Sequence, residues 1–235
     1  AASGMGRRKR VADVRVASLR GGVMPSVIRK EFRLLRRDPL LLSQIGMQLL
    51  YLLPLGFILL RPGSSFTITE QAFVPVLALL SSTLAASLTW ITVSAEDAPD
   101  LLASAPVSTK IIDRAKVLTA IVTVLGLMAI PLAALLWRDP VSGLWALLGV
   151  CAASTASAHI GLWRRVPGSR RDFVKRRQKG SMIAGLGQAF VAFGISSAVA
   201  LGAYNLPWLA LVPALIAAVF LGVLYKPTPA PGAEA

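Results

Sequence analysis

The stretch WRDPVSG, residues 137–143, is the only interruption between two long apolar runs, 117–137 and 141–163. Read as a turn, it separates two helices that each cross a bilayer. Read as continuous helix, it merges them into one unit. Its chemistry selects the turn. Arg138 and Asp139 are costly in hydrocarbon, and Pro140 disfavours helix at the residue before it. A bilayer core about 30 Å thick needs about 20 apolar residues per helix, and each run supplies that length.

Four further stretches qualify as spans: 39–60, 72–95, 181–203 and 206–225. None of the six carries Asp, Glu, Lys or Arg in its interior, where each would cost roughly 2.5–3.5 kcal/mol on the insertion scale. Composition points the same way. The 235 residues are 55% hydrophobic and only 15% charged, against about 45–50% and about 25% in soluble domains, and the mean hydropathy is +0.66. The expected fold class is all-α: a polytopic membrane protein with six transmembrane helices.

The net charge of +14 is distributed as a topology signal. Segment 1–38, the loop after span two, the loop 164–179 and the tail hold 23 of the 25 basic residues, leaving Arg61 and Arg138 for the other side. The positive-inside rule then makes both termini cytoplasmic, and the expected location is the cell's inner membrane. The alternation also tests the break at 137–143, because without it the basic loop 164–179 would fall outside. Nucleic-acid binding would need a soluble basic face, and these cations instead flank spans. The basic loop 164–179 reads as an orientation signal and a contact for anionic membrane lipid.

Before the first span, Met24, Ile28, Phe32 and Leu35 recur on one helical face, while Arg29, Lys30, Arg33, Arg36 and Arg37 lie mainly on the other. This predicts an amphipathic interfacial helix over 24–38. The expected organisation is therefore a basic cytoplasmic tail or linker at 1–23, that helix, a six-span domain at 39–225 and a disordered Pro/Ala-rich tail at 226–235.

Several chemistries lack their residues. No G-x-x-x-x-G-K-[ST] occurs and no Lys precedes Ser or Thr, so a P-loop is missing. No H-E-x-x-H or Cys/His cluster offers a metal site. The single Cys151 allows no internal disulfide, and the lone His159 reads as an interfacial or packing residue. The spans carry no ionisable group for a proton or ion path. What they do carry is hydroxyls and small residues, the ordinary glue of membrane helices. Gln44 and Gln48, four apart on span one, form a polar patch that reads first as packing and second as a substrate-path contact.

The stretch after span two, EDAPDLLASAPVSTKIIDRAKVL (96–118), gathers Glu96, Asp97, Asp100 and Asp113 between apolar runs. Asp97 can cap a short helix, with Pro99 in its first turn and Asp100 favourable to the dipole. Pro106 ends it, and Ser108 caps a second helix through Ile111, Ile112 and Ala115 into span three. Leu101, Leu102, Ile111 and Ile112 at the water boundary point to a partner or to the lipid interface.

This loop, with its acidic start, Leu-Leu and small-Ala-Pro-Val-Ser corner, resembles the cytoplasmic loop between spans two and three in permease subunits of type-two ATP-binding cassette (ABC) exporters. The resemblance covers roughly residues 25–225. It implies a coupling helix that docks on an ATPase subunit, with Glu96, Asp97, Asp100, Leu101 and Leu102 at the docking helix and Ser108 at the following corner. It also makes Ile28, Phe32, Arg33 and Leu35 part of a connecting helix. The implied function is a non-enzymatic permease subunit, without its own cofactor. ATP would be used by the partner ATPase, and a homodimer or second permease half would complete the pathway. The alternative is a non-transport scaffold or assembly protein whose basic loops bind lipid or a partner. The turn AYNLPW (203–208) is far shorter than the external segment of well-studied members.

Reporter fusions after Lys179 and Lys226 are expected to read cytoplasmic, and an insertion near Ser64 external. An external reading after Lys179 would remove the six-span topology.

Overall fold

A computed structural model describes residues 23–37, 70–94, 109–163 and 182–225, with scattered helical positions between 39 and 54. Among the described residues there is no strand. The elements are α1 (Val23–Arg37), a 3-10 turn (Glu70–Ala72), α2 (Phe73–Ser94), α3 (Thr109–Arg138), α4 (Pro140–Trp163), α5 (Met182–Ala203) and α6 (Pro207–Leu224). Helices α2 to α6 are long and apolar enough to cross a membrane, which makes the chain a multi-pass membrane protein. Most of the expected first span lies outside the described residues. Its described positions 45–48 are helical, and Ile45 packs on the main core.

Hydrocarbon offers no partner for backbone N–H and C=O groups, so each spanning segment must satisfy its own. That requirement turns these apolar runs into helices and places their ends where polarity returns. Spans two, four, five and six match α2, α4, α5 and α6 to within a residue at each end. Helix α3 begins earlier than span three, at Thr109, so the expected second helix of the loop and the span are one continuous rod. Its 30 residues rise about 45 Å, well beyond the ~30 Å core.

Side-chain contacts fix the helix directions. A Cβ on Gly149 would lie 3.1 Å from the Ala78 Cβ, and one on Gly161 2.9 Å from the Thr89 Cγ2, so α4 runs parallel to α2. Ser196 meets Pro75, and Gly202 faces the Trp145 ring, so α5 runs antiparallel to both. The C-terminal ends of α2, α4 and α6 therefore share one end of the bundle with the starts of α3 and α5. The α3 positions 110–116, with Lys110, Arg114 and Lys116, lie there, and we refer to it as the basic end.

The main core joins four helices: Leu77, Leu84 and Leu88 of α2, Val124, Met128 and Leu135 of α3, Ala146 and Val150 of α4, and Val199 of α5. Helix α6 is peripheral. Its buried residues are Ala210, Ala217 and Leu224, one every seven positions. Opposite them, a Cβ on Gly187 would come 3.0 Å from Leu224, and one on Gly194 2.9 Å from Ala217 and from the Pro213 carbonyl. This narrow strip of small residues lets two backbones approach where no hydrophobic force draws helices together.

Two tight links close the end opposite the basic one. At the first, Asp139 is the sole residue between α3 and α4. Its carboxylate accepts the Val141 N–H at 3.1 Å and the Ser142 hydroxyl, capping α4 with Pro140 at its first position. A Cβ on Gly143 would fall 2.6 Å from the Leu136 Cα, so only glycine lets α4 fold back this closely. Glu70 adds a long 3.8 Å ion pair to Arg138, worth little at an exposed site. At the second link, Leu206 N–H bonds Leu201 C=O at 2.9 Å and Asn205 N–H bonds Gly202 C=O at 3.1 Å. Asn205 sits at φ 58, the left-handed position of a Schellman cap, and Pro207 starts α6.

All five tryptophans (90, 137, 145, 163 and 208) lie within two turns of a spanning helix's end. Tyr204 and Tyr225 flank helix ends as well. Amphipathic rings settle at the two membrane–water interfaces, so these residues mark both girdles.

The Ser142 hydroxyl, with backbone N–H groups behind it, holds the Asp139 carboxyl below its ordinary pKa. Its contribution is complete above the usual carboxylate range and fades as pH falls through the lowered value. Asp139→Ala should cost about 1 kcal/mol at neutral pH, read as a lower melting temperature in detergent, and the difference from the native chain should narrow in strong acid. Gly143→Leu should cost more, because its side chain would enter the α3 backbone.

Candidate functional site

The polar groups of the bundle collect on α2 and the faces that meet it. Most are satisfied by their own helix. Ser81 donates to the Ala78 carbonyl at 2.8 Å, Ser87 to Leu84 at 2.9 Å, Thr92 to Thr89 at 3.0 Å and Thr119 to Ala115 at 2.8 Å. Such back-bonding leaves a hydroxyl little capacity for a ligand.

Hydrogen bonds also cross between helices. Ser82 and Ser157 share a buried 2.7 Å bond between α2 and α4. The Ser196 hydroxyl donates 2.8 Å to the Pro75 carbonyl, tying α5 to the start of α2. Gln48 Nε2 donates 3.2 Å to Thr83 Oγ1, joining the first apolar run to α2. Gln48 Oε1 and Thr89 Oγ1 are buried with no hydrogen-bond partner among the described residues. The seam is therefore held by hydroxyl and amide contacts and carries no Asp, Glu, Lys or Arg along its length.

The other expected site residues fall as follows. Gln48 is placed and half-buried, whereas the Gln44 side chain lies outside the described residues. Helix α1 forms, packed mainly on α3. On it Met24 and Ile28 are half-buried, Phe32 is 38% exposed and Arg33 is exposed. The side chain of Leu35 lies outside the described residues. Ser26, Arg29, Lys30, Arg33 and Arg37 line a shallow groove of about 250 Å3 along its polar face. The docking residues Glu96, Asp97, Asp100, Leu101, Leu102 and Ser108 also lie outside the described residues.

Two features escaped the sequence. Lys116, read there as a loop cation, belongs to α3 and is 1% exposed. Ile112 and Ala115 are buried beside it while Ile111 is 37% exposed, so one face of the α3 extension is packed. The second feature is an aromatic cluster at the basic end. His159 Nδ1 lies 2.8 Å from the Thr155 carbonyl, its ring is 5.8 Å from Trp163, and Trp163 meets Tyr225 edge-on at 5.1 Å. The i, i+4 spacing of His159 and Trp163 was the available signal.

Among the described residues no group of three His, Cys, Asp or Glu side chains could hold a metal ion. No protein-family model, curated protein or solved structure matches this chain.

Interhelical bonds in membranes average about 0.6 kcal/mol in double-mutant cycles. A cycle on Ser82→Ala and Ser157→Ala should return a coupling of about that size, read by thermal unfolding in detergent. Gln48→Leu should cost less than Ser82→Ala, because it removes a buried oxygen that has no hydrogen-bond partner along with its one bond.

Proposed function

We propose that this chain is the permease subunit of an ABC-type exporter. It would move a substrate across the cytoplasmic membrane using ATP hydrolysed by a separate ATPase subunit, with both termini in the cytoplasm. The supporting observation is the join between the acidic, Leu-Leu loop sequence at 96–108 and α3. That helix starts at Thr109, runs past the bilayer and packs one face of its extension.

The mechanism follows from that join. Six residues separate Leu102 from Thr109, so a load applied at Asp97, Asp100, Leu101 and Leu102 would have a short path to α3. A continuous helix transmits displacement along its axis, because stretching it would break its backbone hydrogen bonds. Helix α1 is packed on the same rod, so connecting helix and coupling loop would act on one lever. Closure of the paired ATPases would then shift α3 and, through the one-residue link at Asp139, α4. Among the described residues, ionisable groups lie toward the ends of the spanning helices, Lys116 being buried near the start of α3, and a driving force from nucleotide fits that distribution. A homodimer or a second permease half would supply the other wall of the pathway.

The test is co-purification with an ATPase encoded beside the gene, followed by transport in proteoliposomes. Transport should require ATP and that ATPase, and should persist when proton and sodium gradients are collapsed. Asp100→Lys with Leu101→Asp should abolish capture of the ATPase and at least tenfold of the flux, a loss of about 1.4 kcal/mol or more in coupling. Unchanged capture and flux would refute the docking role. Uptake driven by an ion gradient alone would refute the energy source.

A further inference from the structure

The polar face of α1 gathers four cations. Met24 and Ile28 are half-buried where α1 packs on α3, whereas Arg29, Lys30, Arg33 and Arg37 are exposed. Positions 29, 33 and 37 repeat every four residues, so three arginines follow one line for about 12 Å along the helix. Glu31, the one acidic position of α1, stands two residues from Arg29 and Arg33 and so faces elsewhere. With Ser26 and Lys30 the arginines line the groove of about 250 Å3, which is below the usual range of small-molecule pockets. It suits one head group rather than a whole ligand. Ser26 and Lys30 already hold contacts within the chain, which leaves the three arginines to recognise an occupant.

Their chemistry selects an oxyanion. A guanidinium presents a planar fork of donors that matches a phosphate or a carboxylate. Depth selects between the two. Gln48 bonds Thr83 at 3.2 Å. Thr83 lies eleven residues before Ser94, the last residue of α2, and Gln48 lies eleven after Arg37. Both offsets come to about 16 Å in a helix. The described positions between Arg37 and Gln48 are helical, and the expected first span runs against α2, so α1 ends level with the basic end of the bundle. Lipid phosphates lie at that level. Phe32 is exposed beside the cations, as an apolar residue of an interfacial helix is. The chain's own acids at 96–100 belong to a loop whose described ends, Ser94 and Thr109, lie on helices that α1 packs against. The arginines turn away from those helices.

We infer that the arginine face of α1 binds the phosphate of an anionic phospholipid head in the cytoplasmic leaflet, with Arg29, Arg33 and Arg37 as donors. A zwitterionic head offsets its phosphate with its own cation and competes poorly. The site needs neither nucleotide nor ATPase, and so stands apart from the proposed transport role.

The test uses the full chain in bilayer discs of equal phosphatidylglycerol and phosphatidylcholine with identical acyl chains. Lipid retained after gentle detergent release is counted by native mass spectrometry. The native chain should prefer phosphatidylglycerol by more than roughly tenfold. One cation near an anionic membrane contributes about fivefold, so Arg33→Gln should lower the preference by about that factor. Arg29→Gln, Arg33→Gln and Arg37→Gln combined should lower it by more than about tenfold. Lys at the same three positions keeps the charge and should retain most of the preference, with unchanged helical circular dichroism in every variant. Equal retention of the two lipids by the native chain would overturn the inference, as would an equal loss with Lys and with Gln. An undiminished preference in the triple Gln variant would also overturn it, by assigning the lipid to another basic segment. So would displacement of the lipid by inorganic phosphate beyond that by sodium chloride of equal ionic strength, which would make this a free-anion site. Loss of ATPase capture in that variant with lipid preference intact would make the face a protein contact instead.

Discussion

The closeness of α2 and α4 is the constraint on which the bundle depends. Lipid tails are as apolar as leucine, so burial alone cannot hold two helices together in a bilayer, and dispersion contacts between near backbones must do so. Gly149 sits against Ala78, Ser157 against Ser82 and Gly161 against Thr89, three small pairings along one parallel seam. That seam places α2 at the centre, and α3 and α5 then pack on its remaining faces. A larger side chain at Gly149 would move α4 away from both Ala78 and Val199, which loosens two interfaces at once.

The division of polar groups follows from the same constraint. A hydroxyl pointing into lipid would be costly, so most of those on α2 return their proton to a carbonyl one turn earlier. Ser82, Ser196 and Gln48 bond outward, and they do so where helices are already close. Helix α6 takes part in none of these bonds and keeps a large apolar surface exposed, including Leu211, Leu215 and Val219. It meets α5 through Ala210, Pro213, Ala217 and Leu224, and Phe220 stacks on Phe190 at 4.7 Å.

Much of this was legible in the sequence because the bilayer imposes a length and a polarity on every span. The ends of four spans were set by where polarity returns, and the turn at 137–143 by Arg138, Asp139 and Pro140. The helical face of Met24 and Ile28 was equally readable from its period. What composition could not show was which faces meet. Ser82 and Ser157 are 75 positions apart, and nothing in either local sequence selects the other among many serines. Lys116 looked like a loop cation because charge was weighed without the packing that buries it. The count of five spanning helices belongs to the described residues, and the docking loop lies outside them. That function rests on sequence for this reason.

The single-residue link at Asp139 also bears on how the protein is made. A nascent span usually has a loop behind it that lets it settle before the next emerges. Here α4 follows α3 with no slack, and the Asp139–Ser142 bond caps α4 within its own first turn. A link of one residue favours entry of the two helices as one hairpin, which would carry Arg138 and Asp139 across the bilayer together. Lengthening the link would separate them in time as well as in space.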